Sequence, residues 1–206
     1  MPHLLCIGDS ITDCSRLYSD SQLGNGYVSM IAKKLRPQWQ ITNKGTDGFT
    51  LQRLLQNVPA YLSLCPDVIS ILIGINDIAL MMNTNRTSFQ QQQMMEQFSE
   101  NYRQLLDQLS GSKARLILME PFVFPCPAYL RCWMPLLHTM SHEIREIAGE
   151  YQIPFIFLQE PLHAEAALYG YDRITTDGVH LTSQGHEVIA SALLPYLSAD
   201  QGVFHT

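Results

Sequence analysis

The chain has 206 residues, a length that suits one domain with a sizeable core, and a single domain over 1–206 is expected. Its hydrophobic content of 46% and charged content of 16% are those of an ordinary globular protein. The net charge of −6 argues against a nucleic-acid partner and against docking on an anionic membrane.

In chain order, short apolar runs alternate with segments of helical period. Strands are predicted at His3–Ile7, Gln40–Asn43, Val68–Ile73, Arg115–Met119 and Pro154–Phe157. Each is apolar or β-branched and bounded by Pro, Gly, Asp or Asn, as buried parallel strands are. Helices are predicted near Tyr27–Leu35, Leu51–Tyr61, Met94–Leu109, Pro135–Tyr151 and Ser183–Leu197, with Gln90–Gln93 as a polar lead-in. This alternation implies an α/β fold, with a parallel sheet of about five strands between two helical layers. The Pro- and aromatic-rich segment Pro121–Trp133 reads as a loop lying over the C-terminal edge of that sheet.

Met1-Pro2-His3 shows no targeting pattern, and no apolar run is long enough to cross a membrane. A cytoplasmic location is therefore expected. Cys6, Cys14, Cys65, Cys126 and Cys132 are odd in number and match no zinc spacing, so they read as reduced, mostly packed thiols; a Cys126–Cys132 disulfide is not implied. Asn85-Arg86-Thr87 has the form of a glycosylation acceptor, with no secretory signal to support it. His138 and His142 stand at i, i+4 without a third ligand, so no metal and no cofactor are expected.

The chemistry concentrates at strand ends. Leu4-Leu5-Cys6-Ile7 breaks into Gly8-Asp9-Ser10, which exposes a hydroxyl where α/β proteins bind ligands. Serine needs a base to become a nucleophile. His180 is the candidate, and Asp177, one turn earlier in Asp177-Gly178-Val179-His180, can orient it; Asp172 is the rival orienter. A tetrahedral intermediate needs donors for its oxyanion, which the Ser10 and Gly45 N–H groups and the Asn76 amide can supply. Each segment has a bland alternative: Asn76 or Asp177 as a helix cap, Gly45 as a turn. Together they point to acyl transfer.

Gly8-Asp9-Ser10-Ile11-Thr12, Asn43-Lys44-Gly45, Gly74-Ile75-Asn76-Asp77 and Asp177-Gly178-Val179-His180-Leu181 resemble, in order, the motif blocks of the SGNH hydrolase (GDSL esterase) superfamily. The resemblance implies a flavodoxin-like α/β/α sandwich, a Ser10–His180–Asp177 triad and an oxyanion hole from Ser10, Gly45 and Asn76. Ile7 through Cys14, the turn at Gly24–Tyr27 and Ile73 through Asp77 are most similar to bacterial carbohydrate acetylesterases, including xylan deacetylases. This implies a serine esterase acting on short acyl esters, acetyl above all, of a carbohydrate or related small molecule. A lipolytic esterase, thioesterase or lysophospholipase on the same scaffold is the nearer rival. A non-catalytic flavodoxin-like module gripping a phosphate at Gly8–Thr12 is the distant one. Asp47 stands where relatives carry a small residue. Asp9, Asp47, Phe122, Phe124, Tyr129 and Trp133 are the candidate substrate contacts, the aromatics as rings for sugar stacking. A homo-oligomer is compatible with all of this.

Overall fold

The structure, a computed structural model, describes residues 1–83 and 85–198. Strands β1 (His3–Gly8), β2 (Gln40–Asn43), β3 (Val68–Leu72), β4 (Arg115–Met119) and β5 (Phe155–Ile156) form one parallel sheet in the order β2-β1-β3-β4-β5. The helices are α1 (Ser10–Asp13), α2 (Tyr27–Leu35), α3 (Leu51–Gln56), α4 (Val58–Leu62), α5 (Ile75–Asn83), α6 (Ser88–Ser110), α7 (Met134–Glu150), α8 (Gln159–Tyr169), α9 (Tyr171–Ile174) and α10 (Ser183–Ser198). The three-layer α/β/α architecture expected from the sequence is the one observed.

Strand side chains alternate between two cores. Leu5, Ile7, Ile69, Ile71 and Leu118 pack with α3 to α7, while Leu4, Cys6, Leu72, Ile117 and Met119 pack with α2, α8, α9 and α10. Burial on both faces explains why these strands read as continuous apolar runs. Register then decides where the chemistry sits. Cys6 pairs with Asn43, Gly8 with Leu72 and Leu72 with Met119, so β1, β2 and β3 end side by side. The order reverses beside β1, which makes this edge the topological switch point where such folds bind ligands.

Several elements differ from the sequence reading. The helix expected over Leu51–Tyr61 is two helices, broken at Asn57, with proline in the first turn of α4. Helix α6 begins at Ser88, so the Gln90–Gln93 run is helix rather than lead-in. A capping box starts it: Thr87 Oγ1 accepts the Gln90 N–H at 3.3 Å, and Gln90 Oε1 accepts the Thr87 N–H at 3.0 Å. Helices α1, α5, α8 and α9 were not expected. Helix α5 follows β3 so closely that its apolar start reads as more strand.

All five cysteines are free, but Cys65, Cys126 and Cys132 are exposed, which corrects the expectation of mostly packed thiols. Among the described residues, no helix is long and apolar enough to cross a membrane.

Candidate active site

Ser10 opens α1, directly after the end of β1. Asp9 is its N-cap, with Oδ1 accepting the Ile11 N–H at 3.0 Å. Asp9 is 1% exposed, so it is a buried cap and not a substrate contact as the sequence suggested. Burial pushes its carboxyl up to about 7, against the opposing Ile11 hydrogen bond; the nearby Asp77 charge raises it further and His180 lowers it.

His180 reaches Ser10 from far along the chain: its Nε2 lies 3.0 Å from Ser10 Oγ. On the other ring nitrogen, Nδ1 lies 2.6 Å from Asp177 Oδ2. Asp177 Oδ1 accepts the backbone N–H groups of Val179 (2.9 Å) and His180 (2.7 Å), so the carboxylate organises the turn that presents the imidazole. Burial opposes ionisation of Asp177, but the His180 side chain and these two N–H groups outweigh it and hold the carboxyl below its usual value. A short antiparallel bridge between Thr175 and Leu181 closes the turn, and the Phe124 N–H donates to the Gly178 carbonyl at 2.8 Å. Asp172 sits exposed in α9, and the carboxylate hydrogen-bonded to His180 is that of Asp177.

The loop after β2 is fastened from several sides. Asn43 is 3% exposed; its amide donates to the carbonyls of Thr12 (2.7 Å) and Leu23 (2.9 Å), and its Oδ1 accepts the Gly45 N–H at 2.8 Å. The Gly45 N–H, expected to face an oxyanion, is thus engaged within the protein. Gly45 is required for another reason: a Cβ there would run into the backbone of Thr12 and Asp13. Further along, Asn76 Nδ2 donates to the Phe49 carbonyl at 2.9 Å, leaving its second N–H, and Asp77 Oδ2 accepts the Leu51 N–H at 3.1 Å. Just before Phe49 lies Gly48, with φ +72°, open space on its side-chain side and no partner for its N–H among the described residues. Burial pushes the Asp77 carboxyl up to about 7, although the backbone N–H groups of Leu51 and Asp77 itself oppose the rise.

The aromatic candidates divide. Phe122 (3% exposed), Phe124 (0%) and Trp133 (7%) are core side chains, and Phe124 stacks on His163 with centroids 5.2 Å apart. They are not rings for a sugar. Tyr129 alone of the four is exposed. Asp47 is exposed on the loop beside Gly48. His186 is buried against Tyr27, with Nε2 3.4 Å from Cys14 Sγ; burial, with help from His180, pushes it down to about 4. His138 and His142 are both exposed on α7, and His142 faces Arg145 and Glu146. Among the described residues, no three His, Cys, Asp or Glu side chains are grouped to hold a metal ion.

Two features escaped the sequence reading. Asp77 was visible, as the neighbour of Asn76 in its motif, but its bond to Leu51 was not. Arg16, whose Nε donates to the Gly45 carbonyl at 2.6 Å, carried no sequence signal.

The chain matches the GDSL-like Lipase/Acylhydrolase family over residues 6–188. It is 27% identical to an acetylxylan esterase of Geobacillus stearothermophilus, over 93% of this chain and 91% of the relative. Among solved structures it resembles a catalytic mutant of Axe2, an acetylxylan esterase from the same organism, with TM-score 0.83 and 25% identity, covering 96% of this chain and 94% of the other. The fold is shared also with LAE5, an alpha/beta hydrolase enzyme from the metagenome of Lake Arreo, Spain, at TM-score 0.80 and 23% identity over 94% of each chain. With the family matched across most of its length, this chain belongs to the GDSL-like lipases/acylhydrolases and is a carboxylic ester hydrolase.

Proposed function

We propose that the protein removes short acyl groups, acetyl in the first place, from a carbohydrate or related small molecule through an acyl-enzyme. The observation that carries this is the continuous chain Ser10 Oγ–His180–Asp177, with contacts of 3.0 and 2.6 Å. In this reading His180 Nε2 takes the Ser10 proton as Oγ attacks the ester carbonyl. The tetrahedral oxyanion is met by the Ser10 N–H, free as a first-turn helix donor, and by the second N–H of Asn76. The third donor is the Gly48 N–H, in place of Gly45. Collapse expels the alcohol, which takes the proton from His180. Water, deprotonated by His180, then attacks the acyl-serine, and the carboxylic acid leaves as His180 returns that proton to Ser10 Oγ. Asp177 holds the ring tautomer and stabilises the imidazolium.

The acetyl and carbohydrate parts draw on the similarity to an acetylxylan esterase. A serine-directed fluorophosphonate tests the mechanism: one adduct, mapped to Ser10, is expected, and full labelling of Ser10→Ala would sink it. Nitrophenyl esters of increasing length test the acyl group. We expect kcat/KM to decline from acetyl through butyryl to octanoyl, each methylene weighing about 1–3 kcal/mol at most. A rise towards octanoyl would favour the lipolytic or thioesterase alternative.

A further inference from the structure

The 177–180 turn is tied to the rest of the protein at Gly178, whose carbonyl accepts the Phe124 N–H at 2.8 Å. A Cβ on Gly178, where φ is +93°, would run into the Cys126 carbonyl and the Leu130 side chain, so the segment after Phe124 lies directly against the turn. The imidazole of His180, two residues on, is therefore placed in part by whatever fixes residues 123 and 124.

A side chain fixes them. Val123 is fully buried in an irregular stretch beyond β4, where neither strand nor helix supplies partners for its backbone. Gln159, at the start of α8, supplies both: its Oε1 accepts the Val123 N–H at 3.0 Å and its Nε2 donates to the Val123 carbonyl at 2.9 Å. One amide thus takes the place of a neighbouring strand. Its orientation is fixed, because turning it over would set donor against donor and acceptor against acceptor. The remaining amide N–H meets His163 Nε2 at 2.6 Å, and the His163 ring stacks on Phe124. The Val123 carbonyl lies 3.1 Å from the same ring nitrogen, but the shorter amide contact requires that nitrogen to accept.

Gln159 is anchored in turn by Glu120, which is 8% exposed. Glu120 Oε2 accepts the N–H groups of Leu158 (2.8 Å) and Gln159 (2.9 Å), and its Oε1 accepts the Ser141 hydroxyl. A chain of hydrogen bonds so runs from a buried carboxylate just past β4, through the first turn of α8, to the carbonyl two residues before His180.

We propose that Gln159 is a positioning residue for the hydrolysis: by holding Val123 it sets, through Phe124 and Gly178, the reach of His180 to Ser10. This rests on the reading of Ser10 as nucleophile and His180 as base, and adds what keeps the base in range. A positioned general base is worth about 10²–10⁴-fold, so a small displacement should cost part of that in kcat and little in KM.

Steady-state hydrolysis of 4-nitrophenyl acetate, expressed per active site titrated with a fluorophosphonate, tests it. Gln159→Met keeps the length of the side chain and neither hydrogen bond; it should lower kcat about tenfold with KM within about twofold of wild type. Gln159→Glu keeps the acceptor for the Val123 N–H but sets a carboxylate oxygen against the Val123 carbonyl, so its kcat should fall between the two. A glutamine that merely stabilises the fold would lower the melting temperature and the yield of titratable sites while kcat per site stayed at the wild-type value. That result in Gln159→Met would overturn the proposal, and Gln159→Glu decides in the same way if Gln159→Met does not fold. A rise in KM in step with the fall in kcat would overturn it too, since Gln159 would then act on substrate binding. Failure of the underlying reading looks different: the fluorophosphonate adduct would map away from Ser10 in the wild type and the variants alike.

Discussion

The loop at 177–180 and the loop at 44–51 flank the same serine but are held by different means. In the first, one carboxylate does most of the work within four residues: Asp177 binds two backbone N–H groups and the imidazole of the residue three positions on. In the second, the fasteners come from elsewhere. Thr12 and Leu23 hold Asn43, Arg16 holds Gly45, Asn76 holds Phe49 and Asp77 holds Leu51. The half proposed to move protons is a local turn, with side-chain exposures of 50% and 51% for His180 and Asp177. The half proposed to bind developing charge is braced from several distant segments. That division fits the chemistry. An oxyanion is stabilised only by donors already in place, whereas a general base needs only reach and the right tautomer.

The largest effects should come from the local half. His180→Ala and Ser10→Ala should each lower turnover by about 10³-fold or more and by similar amounts, because triad members act as a unit. Asp177→Asn should cost as much or less. Since the His180 side chain is half exposed and Ser10 is small and partly exposed, calorimetry should find the melting temperatures of the His180 and Ser10 variants close to wild type. A wholesale loss of folding in His180→Ala would show that this turn is part of the scaffold after all.

Next comes the braced half. Asn76→Ala removes a donor and frees the Phe49 carbonyl, and kcat should drop about 10²–10³-fold with KM nearly unchanged. If turnover per folded molecule stays constant while the melting temperature drops, Asn76 is a brace and nothing more.

Asp77→Ala sharpens the distinction, because Asp77 is well placed to act through the loop rather than on substrate. Loosening Leu51 should lower kcat about tenfold, the equivalent of about 1.4 kcal/mol. Asp77→Asn should restore it, since an amide oxygen still accepts the Leu51 N–H. Equal damage from both substitutions would mean that the charge, and not the hydrogen bond, matters.

The smallest effect is on stability against pH. The Asp9 and Asp77 carboxyls lie near 7 in the fold, against ~3.9 for an unfolded aspartate. A raised folded value favours the protonated form, so their stabilisation is fully present below about pH 4 and is lost as pH rises through 7. The protein should therefore melt lower at pH 8 than at pH 5. Asp9→Asn keeps an N-cap oxygen for Ile11 and cannot ionise, so it should flatten that slope by a few degrees. Unchanged slopes in differential scanning calorimetry would place the Asp9 titration well below neutrality.

The contrast between the loops also marks what the sequence determined. Apolar runs bounded by turn residues gave all five strands and the layer order, because burial on both faces leaves a continuous signature in the chain. That Ser10, His180 and Asp177 meet was expected for a related reason: a strand that breaks at Gly8-Asp9-Ser10, and an Asp three residues before a His, are local patterns. Helix α6 could have been bounded correctly from the Thr87–Gln90 capping box, which was in plain view. Tertiary structure decided the rest. Gly45 and Gly48 lie three residues apart on one loop, and no local rule says which N–H is engaged; Asn43, held in place by Thr12 and Leu23, settles it by taking that of Gly45. Phe122, Phe124 and Trp133 look like a substrate wall in the chain and are core in the fold, since composition does not record which way a ring turns. Arg16 reaches this loop only because its turn folds back onto the Gly45 carbonyl. Periodicity and short motifs record burial and local turns, whereas a site braced across distant segments exists only once the sheet has brought their ends together.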